Sequence, residues 1–349
     1  METNNGHSTY SEIQSQPRTW EATLSKYYAL HPDVVQFLQD QNRPLVFIGC
    51  GSTYYLSLSA AASWQTITDS TARGVPSSEL WLFPKLVLRD NPRLFAISRS
   101  GETSETILAI DTYKRLTNQK CLGITCYPQS LMAKDSLLTL CTDSAQEDSV
   151  AQTRSFSSMY LLVQQLAGII SNKSEFLTDL YKTPHMLEKL MALYEPLIHE
   201  IAVNPNIDKF VFLGSGPLFG LASEAMLKMK EMSLSISEVF HFLEFRHGPK
   251  SVVGPGTMII GLVSETSEEH ELKVLSEMRR QGAKTLAILE NGGPLSTEND
   301  TVIELKSGIQ ELARSVLYLP LLQLLAYYRS MYKGLNPDRP ENLEAVVRI

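Results

Sequence analysis

FIGCGS at residues 47–52 returns as FLGSGP at residues 212–217, an offset of 165 residues. In both places an apolar run ends on glycine and enters a turn with a second glycine. Short apolar runs bounded by Pro or Gly, such as Leu45–Gly49 after Pro44, read as buried parallel strands. Two more echoes follow in the same order. A strand expected at VSETSE near 263–268 repeats ISRSGETSE near 97–105, and GAKTLAIL near 282–289 repeats QKCLGIT near 119–125. Ordered echoes at near-constant spacing mark a duplicated α/β unit. The expected fold class is α/β: two doubly wound, flavodoxin-like parallel-sheet domains in tandem.

Working outward, strands are expected at 45–49, 94–98, 120–126 and 138–143 in the first copy, with helices between them. Residues 1–16 read as loosely ordered, and Pro17 starts a helix over roughly 18–30. A short helix follows at about 32–40. Residues 172–208 read as a polar helical connection punctuated by Pro184, Pro196 and Pro205. The expected organisation is an N-terminal arm and helix (1–30), a first domain (31–172), a linker (173–205), a second domain (206–335) and a tail (336–349).

Composition narrows the function. The 349 residues are 43% hydrophobic and 20% charged, with a formal net charge of −7 and no basic run. That excludes an obvious nucleic-acid surface. Four cysteines without a CxxC pair point to reduced thiols and a cytoplasmic protein. Cys50 sits in a Gly-rich turn, where a small filler is the better reading than a nucleophile. The polar first residues carry no apolar signal segment. SVLYLPLLQLLAYY at 315–328 is too short for a span and holds Pro320 and Gln323, so it reads as a buried or interface helix. No membrane partner is expected.

Two stretches carry chemistry. SRSGETSET at 98–106 follows a strand and opens a helix. A helix N-terminus offers free N–H groups and a positive dipole end, and Ser98, Ser100, Thr103 and Thr106 add hydroxyls. Gly101 lets backbone approach closely. Together these suggest a phosphate cradle of neutral donors. It lacks the lysine of a P-loop, and GCGST is not a dinucleotide fingerprint. The second copy of the loop, Ser264-Glu265-Thr266, has lost the glycine and gained an acid, so the copies are expected to divide their labour. The other stretch is the helix after Gly216. Glu224, Lys228 and Glu231 are spaced i, i+4, i+7 on one face, beside a core stripe of Ala225, Met229, Met232 and Ile236. From spacing alone a solvated charged face is the more natural reading. The stretch closes on EFRHGP at 244–249. His241 and His247 find no third residue at metal spacing, so no metal and no cofactor are expected.

Taken together, these motifs resemble a known family. GCGST, SRSGETSET, EDSVAQTRSF at 147–156, SEAMLKMKEMS at 223–233, EFRHGP and the tail NPDRPENLEAVVRI are similar to tandem sugar isomerase (SIS) domains. The tandem resembles the isomerase half of glutamine–fructose-6-phosphate amidotransferase and the stand-alone amino-sugar-6-phosphate deaminases, over about residues 12–349. The resemblance implies a phosphate loop at Ser98, Arg99, Ser100 and Thr103, with Ser52 and Thr53 alongside. It implies sugar contacts near Val150 and Gln152. It aligns Glu231 with the base that moves a proton between C1 and C2, on a helix shared with Lys228 and Glu224. It aligns His247 with a ring-opening histidine that serves a partner subunit, which implies a homodimer.

One position departs from the resemblance: where the amidotransferase tail carries a lysine, this chain has Ala345. A Schiff base with the ketose is therefore not expected. No glutaminase-like segment precedes the isomerase-like part, so synthesis of an amino sugar from glutamine is disfavoured. The expected reaction is ammonia release from an amino-sugar phosphate, most simply glucosamine 6-phosphate to fructose 6-phosphate. Lys228 would stabilise enolate charge or hold Glu231 ionised, and Glu224 would orient Lys228. The alternatives are a fructosamine-phosphate deglycase, a plain phosphosugar isomerase, or a sugar-phosphate sensor without turnover. The site is expected to form between the copies, closed by His247 from a neighbouring chain.

Overall fold

The computed structural model describes residues 5–40, 42–136, 138–346 and 349. The chain divides into two compact units. The first comprises Ser15–Asp148, Gln152–Pro184 and Glu344–Ile349; the second comprises Met1–Gln14, Ser149–Ala151 and His185–Leu343.

In the first unit, β1 (Leu45–Gly49), β2 (Ala72–Pro76), β3 (Arg93–Ile97), β4 (Leu122–Thr125) and β5 (Leu138–Cys141) form one sheet in the order β2-β1-β3-β4-β5. Its pairs are parallel. β1 and β3 are buried along their whole length, because helices cover both faces. Phe47 stacks on Phe95 at 5.1 Å between ring centroids and meets Trp64 edge-on at 6.1 Å.

The second unit repeats the plan. β6 (Lys209–Leu213), β7 (Ile236–Phe240), β8 (Thr257–Leu262), β9 (Lys284–Leu289) and β10 (Thr301–Glu304) lie in the order β10-β9-β8-β6-β7, again parallel. Read from the other edge this is the same order as the first sheet. In both, the chain reverses its winding between the first and third strands of the unit. Ligands of such sheets bind beyond the carboxyl ends of the strands at that point.

The duplication extends to backbone angles. The helices after β1 and β6, Ser52–Thr68 and Pro217–Ser233, each have 17 residues. Their N-cap residues are Gly51 (φ 53°, ψ −123°) and Gly216 (φ 52°, ψ −129°). Only glycine enters that region without a steric penalty, so the turn explains why the sequence echo centres on glycines. Both helices stop on a left-handed residue, Asp69 and Leu234. The exposed carbonyls at the second stop are satisfied by Lys333, whose Nζ donates to Ser233 O at 2.6 Å and Leu234 O at 3.2 Å.

Some expectations need correction. His7–Gln14 is a helix rather than loose chain, and Gln16–Lys26 follows it in place of a helix over 18–30. Tertiary contacts hold the first of these, since an isolated helix of eight residues is not stable in water. Within the second unit Asp338 caps its start, accepting from Thr9 N–H and Thr9 Oγ1, each at 2.7 Å. Glu12 accepts from Ser149 N–H at 3.2 Å, and Tyr10 OH donates to Glu195 at 2.8 Å. Pro196 does not punctuate: it lies inside the helix Thr183–Ala202. Strands β2, β7 and β10 were not foreseen, and the strand expected near 263–268 lies instead at Thr257–Leu262, with 263–267 forming the loop after it. Ile236 is therefore not core on the Glu224 helix but a β7 residue, 69% exposed. The 315–328 stretch is buried as expected, in a short turn and the helix Tyr318–Tyr332, which packs on Pro217–Ser233. No helix among the described residues is long and apolar enough to cross a membrane.

Candidate active site

In the first unit the loop after β3 leads into the helix Ser104–Thr117. Ser98 Oγ accepts from Gly101 N–H at 3.0 Å, and Ser100 Oγ accepts from Glu102 N–H at 3.1 Å. Each hydroxyl thus curls the backbone around itself while its own proton stays available to an anion. Thr103 is the N-cap of the helix, yet its side chain makes no capping bond. Thr106 turns away: its hydroxyl lies 3.1 Å from Ser77 Oγ and 3.5 Å from Cys50 Sγ, tying the loop to its neighbours. Arg99 is almost buried and faces Glu147 at 3.2 Å.

Gly101 has φ +65°, and a Cβ built there would stand 2.1 Å from Ser130 Oγ and 2.5 Å from Ser130 Cβ. The loop therefore tolerates no side chain at this position. Gly101→Ala is expected to destabilise the protein by about 1–3 kcal/mol, because the strained backbone and the displaced Ser130 both cost energy. It should also weaken binding of inorganic phosphate at least tenfold. Urea unfolding and calorimetric titration check the two halves.

Ser52 is buried at the start of its helix. Thr53 is committed to the turn: its Oγ1 accepts from Cys50 N–H and donates to Cys50 O, both at 2.9 Å. Burial pushes the Cys50 thiol above its ordinary range, which fits a filler of the turn and not a nucleophile. Gln152 Oε1 lies 3.5 Å from Ser155 Oγ. Val150 belongs to the second unit, where its N–H donates to Asp338 O at 3.0 Å.

In the second unit the row on Pro217–Ser233 is not a solvated face. Glu224 and Lys228 are both 0% exposed. Lys228 Nζ lies 3.1 Å from Glu224 Oε1 and 2.6 Å from Glu231 Oε2. Burial opposes the Lys228 charge, but the two carboxylates outweigh it and hold its pKa above the ordinary value. Glu231 is the only member of the three with an accessible side chain, 19% exposed. A carboxylate aligned by a buried ammonium and reachable from outside can accept and return a proton. Ala225, Met229 and Met232 are buried beside it, as the spacing requires.

His247 follows the turn Glu244–Arg246 and is exposed. Phe245 is buried in the core of the second unit, and Arg246 Nε donates to Glu277 at 3.0 Å. These anchors fix the turn and leave the imidazole outward, with no hydrogen-bond partner among the described residues.

The loop after β8 repeats the 98–106 loop in sequence, and its backbone donors are engaged within the unit. Glu271, 0% exposed, accepts from Ser264 N–H and from Ser267 Oγ, each at 2.8 Å. Glu311 accepts from Glu265 N–H at 2.9 Å. Internal carboxylates occupy the donors that an incoming phosphate would need.

Glu147, the first residue of EDSVAQTRSF, was given no role from the sequence. Its side chain is 0% exposed and accepts from Thr153 N–H (2.6 Å), Thr153 Oγ1 (3.0 Å), Ser155 N–H (3.0 Å) and Ser155 Oγ (2.6 Å). It caps the helix Arg154–Ile170 and faces Arg99.

Comparison with known proteins adds the following. A family model described as the SIS domain matches residues 37–168 and again 206–329. Glutamine–fructose-6-phosphate aminotransferase [isomerizing] of Pseudomonas aeruginosa is 25% identical over 361 residues. The alignment covers 98% of this chain, which spans 59% of that relative's length. The crystal structure of glucosamine-6-phosphate deaminase from Thermotoga maritima has a TM-score of 0.76 at 28% identity, covering 97% of this chain and 99% of that one. The crystal structure of tagatose-6-phosphate ketose/aldose isomerase from Escherichia coli reaches a TM-score of 0.85 at 22% identity, covering 96% of this chain and 95% of that one. At that identity it shows the shared fold.

Proposed function

The chain belongs to the SIS domain family, and we propose that it is a phosphosugar isomerase that releases ammonia from an amino-sugar phosphate. The observation that carries this reading is the row Glu224–Lys228–Glu231, buried at one end and accessible at Glu231. A sensor without turnover has no use for an aligned and reachable carboxylate. The loop 98–106 supplies neutral donors for a phosphate. The absence of a tail lysine, with Ala345 in its place, favours chemistry in which the amine belongs to the substrate.

In this reading Ser98, Ser100 and Thr103 anchor the phosphate, which orients C1 and C2. His247 moves the proton that opens the ring. Glu231 takes the C2 proton while the C1 carbonyl oxygen is protonated, giving an enolamine. Return of the proton to C1 leaves a ketimine at C2. Water adds there, ammonia departs, and a ketose phosphate remains. Lys228 fixes the position of Glu231 and balances its charge.

Incubation with glucosamine 6-phosphate and, separately, galactosamine 6-phosphate tests the reading by ammonia and ketose-phosphate measurement. Ammonia from neither would sink it. The same groups serve a plain aldose–ketose isomerase or a fructosamine-phosphate deglycase, so ketose–aldose exchange without ammonia would favour the former.

We also propose a homodimer in which His247 serves the partner's reaction. The turn that carries His247 exposes apolar Leu243 (47%) and Val252 (58%) on either side of it, which suits burial against a second copy. Mixing and re-associating inactive Glu231→Gln and His247→Ala proteins is expected to restore about a quarter of wild-type turnover, since half the dimers then hold one intact set of groups. No recovery after verified subunit exchange would place His247 and Glu231 in service of the same chain.

A further inference from the structure

Arg99 lies inside the loop 98–106, yet its side chain is only 8% exposed. Two of its guanidinium contacts define its direction. Nη1 is 3.2 Å from Glu147 Oε2, and Nη2 donates to the backbone carbonyl of Ala345 at 3.2 Å. Glu147 cannot swing to follow a different partner, because Thr153 and Ser155 hold both its oxygens. The other end of Arg99 is equally fixed: its carbonyl accepts from Cys126 N–H at 3.0 Å and from Thr125 Oγ1 at 2.9 Å. The same tail touches the loop a second time, where Ile349 N–H donates to Ser104 Oγ at 3.2 Å. The two ties fall on either side of Ser100 and Thr103. All these residues belong to the first unit.

We infer that Arg99 is a positioning residue that latches the tail, through Ala345, onto the phosphate loop, and is not itself a ligand of the phosphate. The inference rests on the reading of 98–106 as the phosphate loop. Three physical points support it. A phosphate would have to draw the guanidinium away from a fully buried carboxylate, leaving Glu147 without its counter-charge, and that cost is high. The charge of Arg99 is already balanced by Glu147, so it adds little attraction for an anion. The planar fork of Arg reaches two acceptors at once, carboxylate on one side and carbonyl on the other; a lysine offers a single point charge and cannot bridge both.

The test compares Arg99→Lys with the wild-type full chain. Lysine keeps the charge beside Glu147 but loses the bridge. Hydrogen exchange read by mass spectrometry should show the tail peptide containing residues 344–346 exchanging at least tenfold faster in the variant. Affinity for inorganic phosphate should stay within twofold. Ammonia release from glucosamine 6-phosphate should lose about tenfold in kcat with KM within twofold. Tail exchange equal to wild type would overturn the latch. A tenfold or greater loss of phosphate affinity would overturn it too, by making Arg99 a ligand. Should Arg99→Lys fail to fold, Arg99→Met/Glu147→Gln removes the charge pair together and is read by the same exchange and phosphate measurements. If even the wild type releases no ammonia, the proposed reaction fails, while the exchange and phosphate arms still decide the role of Arg99.

Discussion

Glu231→Gln is expected to lower ammonia release from glucosamine 6-phosphate by about 10²–10⁴-fold, the range that a positioned general base contributes. Binding of the phosphosugar should stay within about twofold of wild type, because an interaction made only in the transition state affects kcat without affecting ground-state affinity. The geometry makes the substitution a clean one. Glutamine has the shape of glutamate, and its carbonyl oxygen can still accept from Lys228 Nζ, now 2.6 Å from Glu231 Oε2. The helix Pro217–Ser233 and the buried pair below it are therefore kept. What is lost is a group that accepts a proton from carbon. Steady-state ammonia release and calorimetric titration with fructose 6-phosphate separate the two effects. Turnover within tenfold of wild type would remove Glu231 as the base and move the search to His247.

The duplication could be read in the sequence because it is written in glycine. Gly51 and Gly216 hold backbone angles closed to other residues, so those positions keep their identity while the surrounding apolar residues drift. The buried strands β1 and β3 were legible for a related reason: helices enclose both faces, and beyond Arg93 at the start of β3 their residues are apolar or glycine. Edge strands obey a weaker rule. β2 reads ARGVP and β7 reads ISEVF, each with one side toward solvent and neither with a continuous apolar run. Pro76 is tolerated because β2 is at the edge of its sheet. Taking Ile236 for part of the Glu224 helix followed from this: its apolar side chain fits a helical stripe by spacing, although Leu234 has already ended the helix in a left-handed turn.

The candidate site's motifs were legible, but not which of their hydroxyls the fold engages. Hydroxyls around a glycine at a helix start announce an anion cradle. They do not say which hydroxyls are spent on the protein itself, as Thr53 is on Cys50 and Thr106 is toward Ser77. That division depends on loops brought together by the fold. Arg99 shows the same limit: its place in SRSGET suggests a phosphate contact, while its direction is set by Glu147, 48 positions away in sequence. In the second loop the fold engages the corresponding backbone donors itself. One added acid within the loop would repel phosphate; two more, Glu271 and Glu311, bind its donors outright.

Spacing alone could not tell a solvated Glu–Lys–Glu face from a buried one, and the distinction predicts a large stability effect. Lys228→Met is expected to cost about 3–5 kcal/mol at neutral pH, the usual penalty for removing one partner of a buried ion pair. Glu224 is 0% exposed and lies 3.1 Å from the ammonium, so losing Lys228 strands a carboxylate without its counter-charge. The double variant Glu224→Gln/Lys228→Met should recover most of the loss, because it buries no net charge. The dependence on pH has a definite sign. Burial works against the Lys228 charge, yet Glu224 and Glu231 raise its pKa above the ordinary 10.5. A raised folded-state pKa means that the stabilisation is complete below the unfolded value and fades as pH climbs through the folded one. The gap between wild type and Lys228→Met should therefore be level from pH 7 to 9 and narrow only above about pH 10.5. Urea unfolding across that series measures it. A loss under about 1 kcal/mol would mean that the row behaves as a surface ion pair. Glu231 would then lack the rigid partner on which its role as a base depends.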